Sequence, residues 1–197
     1  MGKMNPLPST RKPRGKGILP RRAAWNDVTP RVVPHLPSLW RVGIGTDLHR
    51  LAEGRKLILG GVRIPFNKGP VGHSDGDVLA HAICDALLGA ACLGDIGRHF
   101  PNTSPQWKNT SSLLFLRHVR QWLNAAGYSI VNIDATIGLE RPKLASNIPA
   151  MEKKVAAALG LKPGQVSVKA KSGEGLDAVG RGQAIRADAV ALIQTCS

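Results

Sequence analysis

The sequence predicts an α/β or α+β domain in which a small sheet is covered by helices on one face. Three observations lead to this class. Apolar residues alternate with period 2 in some segments and recur near 3.6 in others. The two kinds of segment interleave along the chain, and none repeats another.

Taken in order, Val42, Ile44 and Leu48, with Gly43 and Gly45 among them, read as a strand ending at Asp47 to His49. Leu57-Ile58-Leu59 and Val62 to Ile64 form a hairpin around Gly60-Gly61, and Pro65 to Gly72 reads as loop. Ser74 or Asp75 is placed to cap a helix through Val78, Ala82, Leu87, Leu88 and Ala91, with Gly94 just beyond it. A second helix fits Ser111 to Ala126, stopped by Gly127. Tyr128 to Leu139 alternates as a strand, and Asn147 to Leu159 carries a third helix stopped by Gly160. Val166 to Lys169 alternates as a strand. Gln183 to Thr195 fits both periods, and strand is the preferred reading.

The 197 residues, 43% hydrophobic and 20% charged, suit one packed domain with an appendage. Apolar runs such as Ala86 to Leu93 end well short of the roughly 20 residues a membrane-spanning helix needs. Cys84, Cys92 and Cys196 are odd in number and lack CxxC spacing, which favours a reducing compartment over a disulfide framework. The net charge of +14 suggests nucleic acid at first sight. Half of that excess, however, lies in residues 1–40, where eight basic residues meet the single acid Asp27. That segment also holds seven of the 14 prolines and no sustained apolar period, which predicts a disordered extension ahead of a domain at 41–197.

The extension has three readings: a solvated tail, an RNA-contacting arm and a targeting presequence. The tail is preferred, because stacking aromatics at regular spacing are missing. Without an apolar h-region, secretion is not expected. A cytoplasmic location is favoured over organellar import.

Chemistry concentrates in a few places. Asp47 and His49 stand two apart on a strand, so both side chains point to one face. His81 lies on the first helix, one turn after Asp77. One Asp and two His would hold a divalent Lewis acid and leave a coordination position open for substrate oxygen. Each has a plainer role too, since a DxH tripeptide is common and a lone helical histidine is usually a hydrogen-bonded core residue. Their company is Gly72-His73-Ser74-Asp75-Gly76-Asp77, a polar loop feeding a helix N-terminus, where His73, Ser74 and backbone N–H groups suit a phosphate oxygen or simply cap the helix. The Gly94-Asp95-Ile96-Gly97 turn terminates that helix and offers an Asp to sugar hydroxyls. Pro142-Lys143 and Lys169 to Glu174 follow predicted strands, where loops host binding.

GTDLHRL, LILGG, GHSDGDVLAHAICDALLGAACLGDIGRHFP, RPK and VSVKAKSGEG…GRG, in this order between Arg41 and Ile193, closely resemble the 2-C-methyl-D-erythritol 2,4-cyclodiphosphate synthase family. The resemblance implies a lyase of the non-mevalonate isoprenoid pathway. In that reaction the 2-phosphate of 4-diphosphocytidyl-2-C-methyl-D-erythritol 2-phosphate attacks the β-phosphorus and CMP is released. It implies an α/β sandwich with a four-stranded mixed sheet and helices on one face, assembled as a homotrimer with active sites between subunits.

By the same resemblance, Asp47, His49 and His81 hold Zn²⁺ (or Mn²⁺ or Mg²⁺) on the β-phosphate, and Glu174 holds a Mg²⁺ or Mn²⁺ bridging the diphosphate. His73 and Ser74 belong to the phosphate and erythritol loop, with His73 and Ser172 as catalytic stabilisers. Asp95, Ile96 and Gly97 match the ribose contacts; Leu139, Pro142, Lys143 and Leu144 match the cytosine and phosphate pocket supplied by the neighbouring subunit; Arg181 is retained after it.

The chain departs from the family at Pro101-Asn102-Thr103-Ser104, at Lys171-Ser172-Gly173, at Ala178, where an aromatic commonly lines the trimer channel, and at Gln183. Two other classes compete: an RNA-binding protein acting through its tail, and a metal-dependent phosphoesterase on the same scaffold.

Overall fold

A computed structural model describes residues 39–196; the basic extension expected at 1–40 falls outside them, apart from its last two residues. Trp40 already belongs to the first strand. The described residues form seven strands, β1 (Trp40–Glu53), β2 (Leu57–Leu59), β3 (Val62–Ile64), β4 (Lys68–Pro70), β5 (Tyr128–Gly138), β6 (Val166–Lys171) and β7 (Ala184–Thr195). The helices are α1 (Val78–Ala90), α2 (Ile96–His99), α3 (Ser112–Ala125) and α4 (Ile148–Leu159). No helix among the described residues is long and apolar enough to cross a membrane.

The sheet has five strands in the order β4-β1-β7-β5-β6, one more than expected. The extra member, β4, lies inside the predicted loop and pairs antiparallel with Leu51–Glu53 of β1, which runs past His49. Its sequence is Lys-Gly-Pro, too short to show a period, and a proline is tolerated there because the strand is an edge. β5 and β6 are parallel, joined through α4, while every other neighbour in the sheet is antiparallel. The ambiguous last segment is a strand, and it is central: β7 pairs with β1 from Trp40↔Gln194 to Arg50↔Ala184 and with β5 on its other edge. β2 and β3 form the expected separate hairpin.

Leu79, Ile83, Leu87 and Leu88 are fully buried on α1, and apolar residues surround nearly its whole circumference, as befits a helix at the centre of the core. Its N-cap is Asp77, two or three residues later than expected. The buried Asp77 carboxylate accepts from Ala80 N–H (3.1 Å) and also from Gly60 N–H (2.9 Å) and Gly61 N–H (2.7 Å), so one side chain ties the hairpin turn to the helix start. Those two distant donors are invisible in the sequence, which is why Ser74 or Asp75 looked the better cap.

β1 meets α1 through its glycines. A Cβ on Gly43 would stand 2.0 Å from the Ala86 carbonyl oxygen, and one on Gly45 would stand 2.1 Å from that of Ala82. The helix therefore rests directly on strand backbone. The apolar residues that alternate with the glycine side of β1 point the other way: Trp40, Val42, Ile44 and Leu48, together with Val190 of β7, are exposed, Ile44 to 75%. Among the described residues helices cover one face only, as expected, and the opposite face of the sheet presents an apolar patch.

Candidate metal and phosphate site

The close approach of α1 to β1 decides where the site forms. On the helix-facing side of β1 the residues run Gly43, Gly45, Asp47, His49, and the turn of α1 beside Gly45 is the one that follows His81. Asp47 Oδ2 thus lies 3.0 Å from His49 Nε2 and 2.9 Å from His81 Nδ1. One ligand atom from each of the three falls within 4.8 Å of the others. His81 is further held by the Phe115 ring, stacked at 6.1 Å between centroids.

The protonation pattern fits a cation. His49 Nδ1–H donates to the Val71 carbonyl (2.6 Å), so in the neutral ring the Nε2 lone pair faces the Asp47 carboxylate. His81 engages Ser112 Oγ through Nε2 (2.9 Å) and turns Nδ1 to the same carboxylate oxygen. A carboxylate and two imidazole nitrogens converge on one point, and only protons or a positive ion can satisfy all three. The two outer hydrogen bonds are the supporting contacts that orient histidine ligands.

Burial pushes the Asp47 carboxyl up, but hydrogen bonds and charge from His49 and His81 outweigh it and hold the group well below the usual carboxylate range. The hydrogen bond to Asp47 raises His49 above its ordinary 6.5 against the opposing effect of burial. Asp47 is therefore ready as an anion at any pH near neutrality, whereas His49 must lose a proton before it can ligate. In the metal-free protein the Asp47 contribution to stability is present above the unfolded value of 3.8 and lost as pH falls through the lower folded value. That of His49 is complete below 6.5 and lost as pH rises through its raised folded value. Metal affinity runs the opposite way: chelator competition should show it weakening by up to about tenfold per unit as pH falls below that raised value. An affinity flat across this range would mean that His49 is not a ligand.

A second group gathers on the far side of the sheet. Leu139, Pro142, Lys143, Leu144, Ser172 and Glu174 line one pocket of about 300 Å³, with Ala170 and Lys171 completing it. Ser172 Oγ donates to Glu174 Oε1, and Glu174 adopts a left-handed backbone (φ 50°), a conformation non-glycine residues hold only where the surroundings enforce it. Asp47, His49 and His81 are not among the residues lining this pocket. β1 and β6 are three strand positions apart, about 14 Å at the usual interstrand spacing.

The sequence model of the YgbB family matches residues 40–194. The chain belongs to the YgbB family. A curated relative from Nitrosospira multiformis, named 2-C-methyl-D-erythritol 2,4-cyclodiphosphate synthase, is 56% identical over 154 residues, 78% of this chain and 87% of that protein. A solved 2C-methyl-D-erythritol-2,4-cyclodiphosphate synthase in its CDP-bound form superposes with a TM-score of 0.72 at 38% identity, covering 78% of this chain and 99% of the other. The bifunctional IspDF from Campylobacter jejuni matches with a TM-score of 0.78 at 36% identity; 81% of this chain is covered, and only 43% of that longer one.

Of the other predicted positions in this YgbB-family chain, Ser74 joins the first group, while Asp95, Ile96, Gly97 and Arg181 do not line the pocket. Ser74 Oγ lies 3.1 Å from His81 Nε2, beside the metal-type cluster. His73 Nε2–H donates to the Ser104 carbonyl (3.2 Å), which holds its ring against the divergent Pro101–Ser104 loop. Asp95 caps α2 through Arg98 N–H (2.9 Å), and Ile96 N–H donates to Asp85 Oδ1 (2.7 Å), so the Asp95–Gly97 turn folds back along α1. Arg181 is exposed and donates to the Leu176 carbonyl (3.3 Å). Val71, Asp75 and Ser112 support the cluster without any sign of that role in the sequence. Val71 acts through its backbone and has no sequence signal, and Ser112 lies 31 residues from the histidine it touches.

Proposed function

We infer that this protein is a phosphorus–oxygen lyase of the non-mevalonate isoprenoid pathway, converting 4-diphosphocytidyl-2-C-methyl-D-erythritol 2-phosphate to 2-C-methyl-D-erythritol 2,4-cyclodiphosphate and CMP. The observation that carries the reading is the convergence of Asp47, His49 and His81 in a chain 56% identical to a named synthase. The 2-phosphate oxygen forms a bond to the β-phosphorus as the bond from that phosphorus to the CMP oxygen breaks. Little covalent work falls to the protein, which must bring one end of a flexible anion onto the other and neutralise developing charge.

Asp47, His49 and His81 would hold Zn²⁺, or Mn²⁺ or Mg²⁺; such an ion supplies Lewis-acid stabilisation at the β-phosphate. Glu174 would hold Mg²⁺ or Mn²⁺ at the diphosphate. Ser74 and His73, on the loop that enters α1, contact the phosphate and erythritol side. Lys143, Leu139, Pro142 and Leu144 cradle the cytidine end, with Ser172 stabilising charge; Asp95, Ile96 and Gly97 bind ribose, and Arg181 lies on the loop beyond Glu174.

Two features support assembly as the homotrimer that the family resemblance implies. The metal-type cluster and the nucleotide-type pocket sit on different parts of one sheet, and Val42, Ile44 and Leu48 leave an apolar face for a second copy. A partner's pocket facing this chain's metal cluster would complete the site. The free cysteines, Cys84, Cys92 and Cys196, suit a reducing cytoplasm. The positive excess on the folded part steers an anionic nucleotide inward.

The test is product analysis in ¹⁸O-labelled water with Zn²⁺ and Mg²⁺ supplied. A cyclic product without label, together with stoichiometric CMP, is expected. A linear labelled product would indicate a phosphoesterase instead, and absence of CMP would overturn both readings.

A further inference from the structure

We propose that Ser112 and Asp75 fix the tautomer of His81 and thereby set the affinity of the metal site, a role that rests on reading Asp47, His49 and His81 as metal ligands. Ser112, the first residue of α3, is fully buried, with its Oγ 2.9 Å from His81 Nε2. A hydroxyl has one proton to give, and Ser112 gives it to Asp75 Oδ1, because an ionised carboxylate can only accept. Toward His81 the same oxygen can then only accept. A hydrogen on His81 Nε2 therefore has its acceptor in Ser112, and that tautomer leaves the neutral ring's lone pair on Nδ1, the atom aimed at Asp47, where a shared cation would take it.

Asp75 is itself fastened. Its Oδ2 accepts from Ser112 N–H (3.0 Å) and its Oδ1 from Asp77 N–H (3.3 Å), so the carboxylate clips the start of α3 to the loop before α1. This makes a chain of hydrogen bonds from His81 through Ser112 to an anion, the arrangement that orients a histidine ligand and raises its basicity as a donor. Ser74 Oγ, 3.1 Å from the same nitrogen, cannot donate to a protonated Nε2; its proton turns instead to Ser112 Oγ at 3.5 Å or to a bound ligand. Asp75 and Ser112 are positioning residues: they act through His81.

The experiment has two arms. Long-range ¹H–¹⁵N NMR on the metal-free wild-type protein, at about pH 8 and so above the ordinary histidine range, should show His81 as the Nε2–H tautomer; an Nδ1–H tautomer overturns the proposal. In the second arm Zn²⁺ affinity is measured by chelator competition. Ser112→Ala should weaken it by about 10- to 100-fold, with an unchanged circular dichroism spectrum, and Ser112→Thr should restore it to within about threefold. Wild-type affinity in Ser112→Ala overturns the proposal, as does a loss that Ser112→Thr fails to restore. Should Ser112→Ala not fold, the tautomer and the threonine variant decide. If the wild-type protein binds no Zn²⁺, the metal reading falls, while the NMR arm still decides the tautomer.

Discussion

Replacing His81 by alanine should cut CMP release by about 10²- to 10³-fold, the loss expected when one preorganised charge-stabilising element is removed from a phosphoryl-transfer site. Three consequences should appear together. Bound Zn²⁺, measured by elemental analysis of the purified protein, should fall well below one per chain, because two donors do not hold the ion against competition. The secondary structure should be retained, since the side chain lies on α1 at the edge of the core and its alanine replacement suits a helix. The loss should appear in kcat more than in KM, because charge on the β-phosphate develops in the transition state. A variant that keeps full turnover with no metal bound would move the chemistry away from this cluster altogether.

The second large effect is on stability. Gly45→Val should lower the melting midpoint by on the order of 10 °C, corresponding to about 3 kcal/mol or more of overpacking. The new Cβ would stand 2.1 Å from the Ala82 carbonyl oxygen and 2.5 Å from the Ala86 amide nitrogen, both helix backbone, so nothing nearby can rotate away. α1 would have to lift off β1, which also separates His81 from Asp47; metal affinity should therefore fall with stability. Gly89→Ala is the internal control. Its Cβ would meet only the Ile44 carbonyl oxygen at 3.9 Å, and alanine is favoured over glycine inside a helix by about 1 kcal/mol, so this variant should be unchanged or slightly more stable. If Gly45→Val melted like wild type, the direct seating of helix on strand would be wrong.

How much of this could be read in advance depended on whether a signal was local. The α1, α3 and α4 helices carried their own periods and glycine stops, and each was placed within a few residues. The alternation of β5 was equally plain. β4 could not be read, because three residues of Lys-Gly-Pro become a strand only when Leu51–Glu53 offers them an edge. Asp77 was missed as the cap for a related reason, as its other partners, Gly60 and Gly61, lie far back in the chain. At the site, Asp47 and His49 could be paired by strand geometry, but bringing His81 to them depended on two glycines whose lack of a side chain is the whole point. The motif resemblance bridged that gap; physical spacing alone did not.

One consequence of the strand order concerns synthesis. β7 follows every other described element in the chain, yet among the described residues it alone bridges β1 and β5 in the sheet. Until it leaves the ribosome, β1 has only the short β4 as a neighbour, and α1 lies beside a strand whose other edge is bare. Pairing Trp40 with Gln194 closes a loop of nearly the full domain, a slow step for any chain because the entropy of closure must be met before the contacts form. Nascent chains would thus emerge carrying an open strand edge for most of translation, a state that calls for chaperone cover, and truncation ahead of Ala184 would leave that edge unpaired.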